Sequence, residues 1–257
     1  MGRTYDALKR AERQPECRPL VAPVDGHQPL VGVGELGDDA LLEYERLQVW
    51  ITNRAPDSPP VHAIMVASCR RGNGATTTAI GLAATLARRP ATRVLIVDAN
   101  LRAPCLDRRL GVPHRGGFRE FLGNGSVSAD YVQATTRPNL FVMTSGLTAR
   151  SALEIFSPAA LARLVAHLKS RFDFVVFDAS PFLEFPDAYA LAPHVDSVLL
   201  VVEADRTLVE DARRVVRELQ RSGVRTAGVV LNRQHNYTPR LLRRALGRAN
   251  GSRTSAA

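Results

Sequence analysis

Residues 68–79 read SCRRGNGATTTA, a Gly-rich segment between two apolar ones. The stretch VHAIMVA at 61–67 predicts a buried strand, and IGLAATLARR at 80–89 has the pattern of an amphipathic helix. A strand, a Gly-rich loop and a helix that opens with hydroxyl residues form a phosphate-binding loop, in which backbone N–H groups surround an anion at a helix N-terminus. The segment therefore predicts an α/β fold with a phosphate site at this loop.

The loop pattern requires a lysine between Gly74 and Thr76, and this chain has Ala75 there. No nearby lysine replaces it, since the chain's lysines are Lys9 and Lys169. The hydroxyl of Thr76 occupies the position that binds the Mg²⁺ of a bound nucleotide. The pattern predicts a set of nucleotide-binding residues: Arg70, Arg71, Gly72, Asn73, Gly74, Ala75, Thr76 and Thr77.

Apolar stretches and helical patterns alternate along the rest of the chain. Further strands are predicted around 93–98, 140–145, 172–180, 197–204 and 226–232. Helices are predicted at 157–172, capped by Ser157 with Pro158 in its first turn, and at 207–223, capped by Thr207 and ended by Gly223. This alternation predicts a doubly wound, mostly parallel sheet with helices on both faces.

Asp98 and Asp178 each end one of these apolar stretches. Ligands in parallel sheets bind beyond the carboxyl ends of the strands, where the Gly-rich loop also lies. Two carboxylates beside a phosphate loop are suited to bind Mg²⁺ and orient water. Taken alone, either aspartate has an alternative role as a helix cap or turn residue.

The 257 residues, 45% of them apolar, are enough for one globular domain with additional segments. We expect a short N-terminal helix at 1–13, a Pro- and Gly-rich linker at 14–38, the domain at 39–248 and a disordered tail at 249–257. The apolar runs are too short to span a membrane, and the cysteines have no metal-ligand spacing. We therefore expect a cytoplasmic protein; if it works at the inner face of the membrane, a partner or a surface contact must recruit it there.

The formal net charge of +9 is carried almost wholly by arginine. Such a charge favours anionic partners, such as membrane lipid, nucleic acid or acidic polysaccharide, although codon preference explains an arginine excess equally well. The basic stretch at 243–253 has no interleaved aromatic residues, which argues against nucleic acid. The histidines have no metal-ligand spacing.

From residue 41 to 237 the chain resembles the cytoplasmic domain of bacterial tyrosine kinases, a branch of the deviant P-loop group that includes MinD and ParA. SCRRGNGATTTAIGLAATLA resembles the family's Walker A loop and helix, and VLIVDANLRAPCLDRRLG resembles its second acidic motif. FDFVVFDASPFLEFPDA resembles its Walker B strand, with the later Asp-Ala pair matched by Asp187 and Ala188. GVVLNR at 228–233 resembles the strand whose Asn lies near the adenine.

The resemblance implies binding of ATP or ADP with Mg²⁺ held by Thr76, Asp98 and Asp178. It also implies a set of catalytic positions, Asp98, Asn100, Arg102 and Asp178, and places Asn232 and Arg233 at the nucleotide. The helix with the sequence EYERLQV resembles the family's subunit-packing helix and retains Glu43 and Arg46, which implies homo-oligomers. The implied partner is a membrane polysaccharide copolymerase of a capsule or exopolysaccharide system.

The departures from the family pattern concern its chemistry. Ala75 replaces the Walker lysine, Asn100 replaces the second aspartate of the acidic motif, and Val49 replaces the last arginine of the packing helix. Beyond the last predicted strand, Tyr237 is the only tyrosine where the family has a cluster. We expect weakened or lost phosphotransfer. Two alternatives remain, an active kinase or ATPase that uses Arg70 or Arg71, and a MinD- or ParA-like positioning ATPase.

Overall fold

The computed structural model describes residues 38–53, 59–124, 128–148 and 156–233. The predicted N-terminal helix, most of the linker, the tail and Tyr237 lie outside these ranges. The described strands are β1 (Ala63–Ser68), β2 (Val94–Ala99), β3 (Gln133–Ala134), β4 (Leu140–Met143), β5 (Phe174–Ala179), β6 (Ser197–Glu203) and β7 (Thr226–Asn232). The described helices are α1 (Asp38–Thr52), α2 (Ala75–Leu86), α3 (Leu106–Leu110), α4 (Phe118–Asn124), α5 (Pro158–Lys169), α6 (Asp187–Leu191) and α7 (Val209–Arg221).

The seven strands form one sheet in the order β3-β4-β2-β5-β1-β6-β7. All neighbouring strands are parallel except β3, which runs antiparallel to β4. β1 lies in the interior of the sheet and is buried along its whole length. This confirms the predicted doubly wound, mostly parallel sheet and places the loop after β1 at its carboxyl edge.

Alternate residues of β1 point into two apolar cores, one on each face of the sheet. Met65 contributes to the core that includes Phe118, Phe177 and Leu161, which is covered by α4, α5, α6 and α7. Ile64 contributes to the core under α1, α2 and α3. No helix of the described residues is long and apolar enough to cross a bilayer.

The cap at Ser157 is confirmed, because its hydroxyl accepts a hydrogen bond from the Ala160 amide at 3.1 Å. Gly223 has a φ of 68° and follows the end of α7, as predicted for a helix stop. The cap predicted at Thr207 is wrong. Its hydroxyl accepts from the Glu203 amide at 2.8 Å instead, and α7 begins two residues later.

The strand predicted at 140–145 ends at Met143, because the next carbonyl, that of Thr144, accepts the Phe118 amide of α4 at 2.9 Å. Several elements were not predicted from the sequence: α3, α4, α6 and β3. The three helices span five to seven residues and β3 spans two, so none is long enough to show a sustained apolar period.

Candidate functional site

The loop between β1 and α2 turns on two glycines in the left-handed region. Gly72 has a φ of 84° and Gly74 a φ of 95°, values that residues other than glycine rarely adopt. Gly74 is the N-cap residue of α2 and has no side chain to cap the amides of the first turn. The first turn of α2 also contains no acidic side chain. An anion at this position would accept hydrogen bonds from these amides and interact favourably with the helix dipole.

The buried Asn73 holds the loop in place through hydrogen bonds of its side chain and its backbone carbonyl. Its side-chain oxygen accepts from the Arg70 amide at 3.2 Å, and its side-chain nitrogen donates to Glu203 at 3.2 Å. Its backbone carbonyl accepts from the side chain of Asn232 at 2.9 Å. Asn73 and Asn232 were both predicted to contact the nucleotide, and in this structure their amides hold the loop in place.

Glu203 at the end of β6 accepts hydrogen bonds at the centre of this support, a role that was not predicted from the sequence. It is buried and accepts from Arg233 Nη1 at 2.7 Å and from Arg206 Nη1 at 3.4 Å, besides its bond from Asn73. Arg233, a predicted nucleotide ligand, therefore also belongs to the support of the loop. The available signal was an acidic residue at the end of an apolar strand, as for Asp98.

Asp98 and Asp178 are direct neighbours on β2 and β5. Residues paired in register on adjacent parallel strands lie about 4.8 Å apart and point to the same face. Both side chains are buried. Asp98 Oδ2 accepts from the amides of Cys105 and Leu106 at 2.9 and 3.0 Å, so the capping role considered as an alternative is also present at the start of α3.

Burial raises the pKa of Asp98 to about 7, although the two amide hydrogen bonds favour its charged form. Its Oδ1 is buried and has no hydrogen-bond partner within the described residues. Two adjacent buried carboxylates repel each other unless a proton or a cation lies between them. The geometry therefore fits a cation that binds at this edge of the sheet.

The described residues contain no group of three or more His, Cys, Asp and Glu that could hold a metal. The predicted ligand set contains only two acids, Asp98 and Asp178, together with the hydroxyl of the half-buried Thr76 at the start of α2. Such a set suits Mg²⁺, which keeps several waters and takes further ligands from nucleotide phosphates. The residues present thus fit a Mg²⁺ that arrives with a nucleotide.

Asn100 and Arg102 follow β2 and take different positions. Asn100 Oδ1 accepts from the Ser180 hydroxyl at 3.1 Å, which joins the segments after β2 and β5 near Asp178. Arg102 forms two hydrogen bonds with the buried Asp187, at 2.8 and 3.1 Å. Its guanidinium also lies 5.1 Å from the centroid of the Phe185 ring. Asp187 neutralises much of the charge that Arg102 would offer to a phosphate.

Arg70 and Arg71 are held by acids at the rim of the loop. Arg70 pairs with Asp211 of α7 at 2.8 Å, and Arg71 pairs with Glu184 at 3.2 Å. Both side chains are more than half exposed. For either arginine to replace the missing lysine, a phosphate must compete with the acid that already neutralises its charge.

Ala75 and Thr77 lie in the first turn of α2 and are buried. The hydroxyl of Thr77 accepts from Arg109 Nη1 of α3 at 3.2 Å, and its carbonyl accepts from the Tyr44 hydroxyl of α1 at 3.3 Å. Neither Arg109 nor Tyr44 was predicted to belong to the site. Their contacts link the loop helix to α3 and α1.

A model of the AAA domain family matches residues 61–227 of the chain. The tyrosine-protein kinase YwqD of Bacillus subtilis (strain 168) is 29% identical over 170 residues, 66% of this chain and 71% of that protein. The putative tyrosine-protein kinase CapB of Staphylococcus aureus is 24% identical over 173 residues, 67% and 75% of the two chains. The succinoglycan biosynthesis transport protein ExoP of Rhizobium meliloti (strain 1021) is 32% identical over 66% of this chain, which corresponds to 22% of ExoP.

Solved structures extend the likeness to the fold. The VpsO kinase domain superposes with a TM-score of 0.69 at 31% identity, covering 77% of this chain and 95% of that domain. The kinase domain of Escherichia coli ETK gives 0.72 at 21% identity over 85% and 88% of the two chains. Pyrococcus horikoshii MinD complexed with Mg-ADP gives 0.58 at 21% identity over 72% and 76%, and these last two show the fold alone. The chain therefore belongs to the AAA domain family, in the group of bacterial tyrosine-protein kinases that shares its P-loop fold with MinD.

Proposed function

We propose that this protein binds ATP or ADP with Mg²⁺ at residues 70–77 and has weakened or lost tyrosine phosphotransfer. The observation that carries the proposal is a loop with both left-handed glycines and an in-register pair of acids, but with Ala75 at the lysine position. The cradle for a phosphate is retained. The lysine that would act on the transferred phosphate is replaced by Ala75.

The loss of the lysine weakens binding without abolishing it. A charge-assisted hydrogen bond contributes about 1.5–3 kcal/mol, so its absence lowers affinity roughly 10- to 100-fold. Backbone amides at Gly72 and Gly74 do not depend on that side chain. We expect Mg²⁺-nucleotide to bind at cellular, millimolar concentrations.

Phosphotransfer depends more strongly on a placed cation. Arginine fingers contribute about 10³ to 10⁵ in rate, which indicates how much a cation at the transferred group is worth. Among the described residues, the one lysine is Lys169, whose amine is held by Asp196 at 2.6 Å. Asn100 acts in the same direction as Ala75, because an amide is a poorer base and metal partner than a carboxylate. Mg²⁺ would supply charge stabilisation on the phosphates when bound.

Nucleotide occupancy then serves as a conformational signal rather than a source of phosphate. The contact of Tyr44 with Thr77 connects the loop helix to α1. α1 carries the exposed ion pair of Glu43 with Arg46 and the exposed side chains of Leu42 and Val49. We assign this surface to subunit packing and to a membrane copolymerase partner that recruits the protein from the cytoplasm. The kinase relatives and ExoP, which is named for succinoglycan biosynthesis transport, support a role in capsule or exopolysaccharide export.

Isothermal titration calorimetry with ATP, in Mg²⁺ and in EDTA, tests the binding part of the proposal. We expect saturable binding in Mg²⁺ at millimolar ATP, even after a loss of about 10- to 100-fold relative to a loop that has its lysine. Thr76→Val should weaken binding in Mg²⁺ and have little effect in EDTA, because it removes only a metal ligand. The absence of binding at millimolar ATP would overturn the proposal.

Incubation of the same preparation with radiolabelled ATP tests the phosphotransfer part. We expect little or no label on the wild-type protein. Robust autophosphorylation of the wild-type protein would contradict the loss of phosphotransfer, and it would leave the binding result unaffected.

A further inference from the structure

The arginines around the loop differ in whether a carboxylate neutralises them. Five of them form ion pairs: Arg70 with Asp211, Arg71 with Glu184, Arg102 with Asp187, and both Arg206 and Arg233 with Glu203. Arg109 is the exception, because no carboxylate of the described residues forms an ion pair with it. Its guanidinium charge therefore has no counter-ion in this part of the protein.

Arg109 is also partly buried. Its Nε atom is shielded from solvent and has no hydrogen-bond partner within the described residues, while Nη1 donates to the Thr77 hydroxyl. A buried, unsatisfied donor on a charged group costs stability. An anion beside Thr77 would compensate for this cost.

Arg109 is positioned next to Thr77 by Asp98, the acid at the end of β2. Asp98 holds the first amides of α3, and Arg109 follows one turn later on that short helix. Its target, Thr77, lies two residues after Ala75 in the first turn of α2. The guanidinium thus approaches the phosphate loop from the side of the two carboxylates.

We propose that Arg109 binds the phosphates of the nucleotide and supplies part of the positive charge that Ala75 lacks. This inference rests on the proposed function, since it assigns a further residue to the same site. Arg109 carries its charge on α3 and not in the loop, and we assign it to binding of the nucleotide. Unlike Arg70 and Arg71, Arg109 has no carboxylate among the described residues that competes with a phosphate for its charge.

The test compares Mg-ADP affinity across variants by isothermal titration calorimetry. Arg109→Ala should weaken binding at least about 10-fold, the value of one charge-assisted hydrogen bond. Arg108→Ala is the matched control, because Arg108 is the exposed neighbour and its guanidinium donates to the Pro104 backbone carbonyl at 3.0 Å. We expect the affinity of this control to remain within about twofold of the wild type. Arg109→Gln, which keeps a polar N–H donor on a shorter side chain and loses the charge, should behave like Arg109→Ala.

A second background separates a phosphate contact from a structural role. In Ala75→Lys the loop has its own cation, so adding Arg109→Ala should cost clearly less affinity than in the wild type. An equal loss in both backgrounds would show that Arg109 does not supply the charge missing at Ala75. A loss of thermal stability in Arg109→Gln with unchanged affinity would show a structural role, and either result would overturn the inference. If Arg109→Ala binds as tightly as Arg108→Ala, the inference also fails while the proposed function stands. If neither the wild type nor Ala75→Lys binds nucleotide, the proposed function fails and this inference with it.

Discussion

At the scale of single residues, the site combines a missing positive charge with an excess of buried negative charge. Ala75 places a methyl group where the loop pattern has an ammonium group. Asp98 and Asp178 lie side by side at the same edge of the sheet. Without the lysine, a proton or a bound Mg²⁺ is left to neutralise these carboxylates. We therefore expect the protonation of Asp98 to change when Mg²⁺ binds.

The raised pKa of Asp98 predicts how stability changes with pH. Between the ordinary aspartate value of about 4 and its own value of about 7, the folded protein keeps a proton that the unfolded chain loses. The contribution of Asp98 to stability therefore falls as the pH rises through this range. Asp98→Asn removes the charge, and its side-chain oxygen can still accept from the Cys105 and Leu106 amides. We expect the variant to gain thermal stability relative to the wild type as the pH rises from 5 to 8 without Mg²⁺.

Thermal unfolding followed by circular dichroism at pH 5 and pH 8 measures this difference. Asp130→Asn is the control, since Asp130 is exposed on a short turn and pairs with the Ser128 hydroxyl. A stability difference between Asp98→Asn and the wild type that does not change with pH would contradict the assignment of a buried proton to Asp98.

At the scale of elements, α1 packs closely against α2 at a glycine of α2. Gly81 in α2 leaves room for the ring of Tyr44, and a Cβ at this position would overlap that ring. The hydroxyl of the same Tyr44 reaches the Thr77 carbonyl. At its other end α1 packs Trp50 over Gly228 of β7, where an added Cβ would lie 2.6 Å from the indole. α1 thus spans from the loop helix to the edge strand and can transmit a change at the loop.

The contact of Gly81 with Tyr44 predicts that Gly81→Ala changes the free energy of unfolding in the direction opposite to that usual for a helix. Gly→Ala inside a helix normally stabilises a protein by about 0.5–1 kcal/mol. Gly81→Ala should instead destabilise this protein, by roughly 1–3 kcal/mol, because the methyl group displaces the Tyr44 ring. In a Tyr44→Ala background the same substitution should become stabilising. Urea unfolding of the four proteins gives both free-energy differences, and a stabilising Gly81→Ala in the wild-type background would contradict the packing of α1 on α2.

At the scale of the whole molecule, the parts predicted from the sequence are those with a long-range pattern. The buried strands were predictable because continuous apolar runs such as that of β1 have few alternative structures. The acids at the ends of β2 and β5 were predictable because topology alone brings strand ends together. Short α3 was not predictable, and with it the approach of Arg109 to Thr77 was missed.

Side-chain partners were the other part that the sequence did not reveal. Arg102 was expected at the reaction centre and is paired with Asp187, and Asn232 was expected at the adenine and holds the loop carbonyl of Asn73. These choices depend on the positions of acids and amides far apart along the chain. A local pattern specifies residue type and strand position, but not which of several acids an arginine contacts.

The central claim is that the molecule keeps a nucleotide cradle and lacks the cation for phosphotransfer. Ala75→Lys restores that cation at its expected place in the loop. The decisive measurement compares, for the wild type and this variant, the ATP affinity and the single-turnover rate of phosphotransfer at saturating Mg-ATP. We predict an affinity gain of about 10- to 100-fold and a larger gain in rate, toward the 10³ to 10⁵ that a placed cation contributes. A wild-type rate equal to that of Ala75→Lys, or an affinity that does not change with the lysine, would contradict the claim.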